Sequence, residues 1–269
     1  MTTSSTFKAS SADGYELIMG RWSRRLVEPF LDFSGWRDGE RVLDAGCGPG
    51  NLSFALAERT TTTTIEGVDF ASTYVEHATQ RNRDPRITFR TGDICALPFD
   101  NASFDRVLSL LVLHFVPKTK EAVAELRRVA RPGATVAAAV WDARGGFVAN
   151  RIFFDAAAVV DEDGAQRRAK NYTRPMTRPG ELAAAWRTAG FADIREAMLP
   201  IRMEFKSFDD YWTPYLSQDG PGAEYVATLD AAKRTRLQDL VRASYLDGEP
   251  DGPRSYVAIA WAVAGSAPA

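Results

Sequence analysis

The sequence predicts a doubly wound α/β fold, a mostly parallel sheet with helices on both faces. Two observations carry that expectation. Short apolar runs at Arg41 to Leu43, Thr64 to Asp69, Arg86 to Arg90, Phe104 to Leu111 and Ala134 to Trp141 alternate with amphipathic stretches. Strands separated by single helices pair in parallel, because each crossover returns the chain to the same end of the sheet. The first run leads into Asp44-Ala45-Gly46-Cys47-Gly48-Pro49-Gly50, with three glycines at alternate positions between a strand and a helix. Glycine admits positive φ and lets a ligand approach the main chain, and the helix that follows aims free N–H groups into the crevice.

Arg41 to Leu43 supplies the first strand, and Asn51 to Glu58 the helix behind the glycine turn. The turn reads G-x-G-x-G, and Asn51 stands where the dinucleotide fingerprint has its third glycine. Asp44, at the strand end, would repel a pyrophosphate and suits a cationic ligand group. It can also simply cap the turn. Thr64 to Asp69 is a second strand ending in an acid, placed to accept from both hydroxyls of a ribose. The third, Arg86 to Arg90, leads into Thr91-Gly92-Asp93-Ile94, where Asp93 either faces a ligand or forms a turn. Three acids at three successive strand ends favour a ligand over three separate turn roles. Phe104 to Leu111 is the fourth strand. A charged helix from Lys118 to Val129 and the turn Arg131-Pro132-Gly133 lead to the fifth, Ala134 to Trp141. Glu181 to Thr188 is a helix stopped at Gly190-Phe191. A sixth strand follows from about Asp193 to Glu204, and Ser255 to Ala264 is the candidate seventh.

Bulk properties narrow the partners. The 269 residues suffice for one elaborated domain. A net charge of −2 without a long basic run argues against nucleic acid. No run of about 18 apolar residues exists, so no membrane span is expected. Cys47 and Cys95 lack metal-ligand spacing, which implies reduced thiols, no metal and a cytoplasmic location. Met1 to Asp13 is rich in Ser and Thr, has no signal-peptide layout, and reads as a flexible tail.

This succession of motifs resembles the class I S-adenosylmethionine-dependent methyltransferases, and within them the ubiquinone/menaquinone-type small-molecule branch. The likeness is close from about Trp36 to Trp141 and looser over the last strands. It implies a Rossmann-like sheet of seven strands, the last antiparallel, in a single domain spanning 1–269. The core would comprise about 36–142, 179–204 and 255–265, with cap segments at about 14–35, 143–178 and 205–254. The implied cofactor is S-adenosylmethionine, leaving S-adenosylhomocysteine as product. The alternative is a protein that binds this cofactor without transferring its methyl group. By the resemblance, Asp44 and the turn of Gly46, Cys47, Gly48 and Gly50 hold the amino-acid portion. Asp69 binds the ribose, Phe70 packs on the adenine, Asp93 and Ile94 meet its edge, and Ser109 and Leu110 lie beside the methionine. Related enzymes fold an N-terminal helix over the cofactor, which adds Tyr15, Met19 and Arg21 as candidates.

Methyl transfer is an in-line displacement that alignment and exclusion of water can drive, without a metal or a covalent protein intermediate. His114 follows the fourth strand and is either a base or acceptor-orienting group, or a structural imidazole; His77 reads as a surface helix residue. An Asn-Pro-Pro-Tyr motif is absent at Ser109-Leu110-Leu111-Val112, as is the strand-four acid of metal-dependent catechol enzymes. Asp142, without a partner carboxylate, is then a substrate contact. With Trp141, Phe147, Tyr172, Tyr211 and Trp212 it suggests an apolar or aromatic small-molecule acceptor. The insert from Phe205 to Arg254, with an expected helix from about Glu224 to Leu246, serves either as a lid or as a homodimer contact.

Overall fold

Residues 5–7, 11–217 and 219–268 are described by the structure, a computed structural model. Seven apolar runs form strands: β1 (Arg41–Ala45), β2 (Thr64–Asp69), β3 (Ile87–Thr91), β4 (Phe104–Leu110), β5 (Ala130–Trp141), β6 (Ala192–Phe205) and β7 (Arg254–Ser266). They pair as one sheet in the order β3-β2-β1-β4-β5-β7-β6. β1 to β5 are parallel, and β7 runs antiparallel to both β5 and β6. The seven-stranded doubly wound sheet expected from the sequence is therefore present.

The helices are α1 (Ala12–Tyr15), α2 (Arg21–Ser34), α3 (Asn51–Glu58), α4 (Ser72–Arg81), α5 (Thr119–Val129), α6 (Val148–Val160), α7 (Glu162–Tyr172), α8 (Glu181–Thr188), α9 (Phe208–Trp212), α10 (Gly220–Thr228) and α11 (Ala231–Leu246). A wide π-turn, Glu16–Gly20, joins α1 to α2. Strand alternation divides the core in two. Val42, Leu108, Ala137 and Ala139 pack with α2, α3 and α6 on one face, while Leu43, Ala45, Val107, Val136 and Ala138 pack with α5 and α8 on the other. Trp186 of α8 is fully buried and donates from Nε1 to the Val136 carbonyl at 3.0 Å, which locks that helix to the central strands.

Strand order reverses between β1 and β4, because β2 and β3 lie to one side and β5 to the other. Such a switch point opens a crevice at the carboxyl ends of the strands, where open α/β sheets bind ligands. The glycine turn after β1 and the Leu111–Phe115 segment after β4 both enter it. Two successive antiparallel pairings make β6 parallel to β1–β5, so its carboxyl end reaches the same edge. The insert is closed at its base by the Phe205–Arg254 register pair, so it emerges on the crevice side and covers it.

The structure changes several element boundaries. The single helix expected from about Glu224 to Leu246 is two helices, α10 and α11. Asp230 interrupts them and caps the second, its Oδ1 accepting from Lys233 N at 2.8 Å. α7 is a helix where the sequence reading assigned no element, and its N-cap is Asp161. β5 begins before the Arg131-Pro132-Gly133 turn and carries an irregularity there. The expected flexible tail covers residues 1–4 and 8–10, which lie outside the described residues, but Ser5 to Phe7 and Ser11 to Asp13 are placed. Thr6 N donates to the Phe115 carbonyl at 2.8 Å, and the Phe7 ring meets Phe115 edge-on at 5.0 Å.

Candidate active site

The glycine turn is pinned from beneath. Gly46 and Cys47 both donate from N to the Val68 carbonyl, at 2.7 and 3.0 Å. Gly48 N donates to Asp69 Oδ2 and Ala71 N to Asp69 Oδ1, each at 2.9 Å. One carboxylate thus braces the turns after β1 and β2. Gly46 has φ +83°, and a Cβ there would lie 2.3 Å from Val112. Gly48, at φ +52°, is different: nothing lies within 4 Å of where its Cβ would be, so its open face looks onto the crevice. Burial raises Asp69's affinity for its proton against the opposing backbone N–H groups. Behind the turn, Asp44 accepts from Ser53 Oγ at 2.7 Å, and burial, with Asp69's charge adding, pushes it up to about 7. Asp93, after β3, accepts from Cys95 N at 2.8 Å and borders the crevice beside Ile94. This end therefore carries an excess of buried negative potential, which a cationic ligand would relieve and a pyrophosphate would worsen.

The crevice continues as one cavity into an aromatic chamber. Trp141 and Phe147 pack at 5.0 Å, and Tyr211 donates from its hydroxyl to the Ala149 carbonyl at 2.7 Å. Tyr215 stacks on Phe153 at 4.0 Å, and Trp22, Met203 and Phe205 complete the apolar wall. His114 is only 4% exposed and lines the cavity, and its Nδ1 has no hydrogen-bond partner among the described residues. Burial, with Arg174's charge adding, drives the imidazole well below its usual value, so it is neutral at pH 7. Asn150, Asn171 and Arg174 form a polar corner beside it. Asn171 Nδ2 donates to Asn150 Oδ1 at 2.7 Å, and Arg174 Nε donates to Asn171 Oδ1 at 3.2 Å.

Residues 42–133 match a family described as a methyltransferase domain. Over that stretch the chain carries the methyltransferase domain of class I S-adenosylmethionine-dependent enzymes. The 27-O-demethylrifamycin SV methyltransferase of Amycolatopsis mediterranei is 32% identical over 117 residues, 42% of this chain and 43% of the relative. A ubiquinone/menaquinone biosynthesis C-methyltransferase of Paracoccus denitrificans is 30% identical over 122 residues, 44% and 49% of the two chains. The chain spans between a third and just over half the length of the curated relatives it matches. Among solved structures, phosphoethanolamine N-methyltransferase 2 of Haemonchus contortus, in complex with phosphomonomethylethanolamine and S-adenosylhomocysteine, superposes with a TM-score of 0.61. It shares 17% identity, over 96% of this chain and 57% of that one. The YcgJ protein of a Bacillus shares the fold at a TM-score of 0.59 and 16% identity, over 91% and 98%.

Of the residues singled out in the sequence, Tyr15, Met19, Gly46, Gly48, Asp69, Phe70, Asp93, Ile94, Leu110, His114, Trp141, Phe147 and Tyr211 line this cavity. Eight other sequence candidates do not, each for a local reason. Arg21 is drawn away by Asp210 at 2.9 Å and lies over the Trp22 ring. Asp44 faces Ser53 behind the turn, and Cys47 is buried with its Sγ toward the Gly48 carbonyl. Gly50 is required by packing, because a Cβ at φ +90° would strike Phe54 and Phe89. Ser109 Oγ donates to the Ala45 carbonyl, tying β4 to β1. Asp142 accepts from Gly145 N at 2.8 Å and so caps its own turn. Tyr172 donates to Asp155, and Trp212 is buried against Phe208 and Phe153. The chamber's Trp22, Asn150, Asn171, Arg174, Met203 and Tyr215 were not singled out as site residues in the sequence. Only an X-Pro break at Arg174-Pro175 marks a loop there.

Proposed function

We propose that this protein transfers a methyl group from S-adenosylmethionine to a small-molecule acceptor with an apolar, aromatic-compatible body. The observation that carries this reading is the single cavity running from the glycine turn and two acids into the aromatic chamber. S-adenosylmethionine fits the donor set because it is cationic and has no phosphates, and its sulfonium supplies an electrophilic methyl group. Asp69 would hold the ribose, Asp93 and Ile94 the adenine edge, and the open face of Gly48 the amino-acid portion.

The chain's own residues align and dry the site. Trp141, Phe147 and Tyr211 clamp an apolar acceptor and exclude water, which suits a displacement governed by alignment. His114, held neutral by burial, accepts a hydrogen bond from an acceptor hydroxyl or amine and orients its lone pair. Calorimetry with S-adenosylmethionine and S-adenosylhomocysteine tests the donor half, and absence of binding to the wild type would end the proposal. Incubation of methyl-deuterated cofactor with cell extract, read by mass spectrometry, tests the transfer. Cofactor binding with no labelled product would select the non-methylating alternative.

A further inference from the structure

The acceptor chamber is apolar except at one corner. Of the charged side chains on the cavity wall, Asp69 and Asp93 stand at the glycine-turn end and Arg174 at the other. Arg174 lies over the Phe115 ring at 4.4 Å and spends its Nε on Asn171, which is itself held by Asn150. It forms no salt bridge to a described residue, and its terminal nitrogens make no hydrogen bond to one. Glu224 acts on it only at longer range. Burial lowers the guanidinium to about 10, which still leaves it charged at pH 7. A planar cation is thus fixed in orientation, within an apolar wall, with two donor groups unspent.

We propose that the acceptor carries a carboxylate at the end of an apolar body, and that Arg174 recognises it. The inference rests on the methyl-transfer reading above. A guanidinium matches a carboxylate with two parallel hydrogen bonds, and the apolar surroundings strengthen the pairing. A single cation balances a monoanion, whereas a phosphate monoester would leave one further buried charge uncompensated. The carboxylate is a handle and not the methylated atom, because donation from the guanidinium withdraws the electron density a nucleophile needs. Methylation then falls elsewhere on the same molecule, within reach of His114.

The test uses the full chain saturated with S-adenosylhomocysteine, titrated by calorimetry with three matched pairs: 2-naphthoate, 4-phenylbutyrate and decanoate, each against its neutral amide. At least one acid should bind about 10- to 100-fold more tightly than its amide, the range expected for a hydrogen-bonded charge. Arg174→Gln should erase that ratio while leaving S-adenosylhomocysteine affinity unchanged, and Arg174→Lys should keep part of it. A merely structural arginine would not move the acid-to-amide ratio. Equal affinity within every pair, no binding by any acid, or a ratio that survives Arg174→Gln overturns the proposal. Should Arg174→Gln fail to fold, the wild-type ratio and Arg174→Lys still decide. Failure of S-adenosylhomocysteine itself to bind would instead remove the underlying methyl-transfer reading.

Discussion

At one end of the cavity, Gly46, Gly48, Asp69 and Asp93 come from the carboxyl ends of three adjacent strands, β1 to β3, and the turns that follow them. At the other, Trp141, Asn150, Arg174, Tyr211 and Tyr215 come from β5, α6, the loop after α7, α9 and the turn that follows it. The first end is held by backbone hydrogen bonds within a span of local sequence, and its walls are main chain and carboxylate. The second is held by aromatic packing between inserted helices, and its walls are side chains. A backbone-built site keeps its ligand chemistry fixed, while a side-chain-built chamber changes shape with each substitution. The glycine-turn end and the aromatic chamber should therefore respond separately to mutation.

Trp212→Ala should produce the largest effect, because it empties a buried ring position beneath the chamber without touching the glycine turn. A loss of about 3 to 5 kcal/mol in urea denaturation is expected, with S-adenosylhomocysteine affinity of the folded protein within about threefold. A parallel collapse of that affinity would show that the two ends are one unit. Asp69→Ala should do the reverse. Removing the brace from Gly48 N and Ala71 N, and the group proposed to face the ribose, should weaken S-adenosylhomocysteine about 100-fold by calorimetry. Stability should fall by less than for Trp212→Ala.

Asp44 sharpens the contrast through pH. Its carboxyl moves from an unfolded value of 3.8 to about 7 in the fold, chiefly by burial. The folded state therefore holds the proton more tightly over that window. The stabilisation is complete below about pH 3.8 and is lost as pH rises through about 7. The melting temperature of the ligand-free protein should fall between pH 5 and pH 8, by an amount equivalent to about 1 to 3 kcal/mol. Asp69 acts in the same direction, so Asp44→Asn should flatten part of the slope. An unchanged slope in that variant would remove Asp44 from the account. The smallest effect belongs to Tyr172→Phe, which deletes one hydrogen bond to Asp155 outside the cavity: about 0.5 to 1.5 kcal/mol of stability, with turnover unaltered.

The sheet was legible because strand–helix alternation and the glycine turn are local patterns, and the acids after β2 and β3 sit at strand ends that alternation locates. The aromatic chamber was legible only in kind. Tyr172 stood out in the sequence as an aromatic, yet its neighbour Asn171 faces the cavity, because the phase of α7's last turn is set by packing on α6. Likewise Trp212 supports the wall from behind while Tyr211 and Tyr215 form it, and Asp142 closes its own turn while Trp141 faces inward. Composition identified these clusters, but which member points inward depends on helix rotation and long-range contacts. Arg174 and Asn150 are 24 positions apart and meet only through the α6–α7 hairpin. Ser109 and Gly50 show the opposite case, in which a motif position serves the scaffold.

Ser5 and Phe7 line the cavity, and Thr6 is bonded to Phe115, which lies beneath the Arg174 guanidinium. Residues 5–7 are thus a stave in the chamber wall. Deleting Ser5 to Phe7 would leave the sheet and the glycine turn intact while letting water into the chamber. Under the proposed function, such a preparation would still bind the nucleoside end of the cofactor and would misreport which acceptors the protein takes.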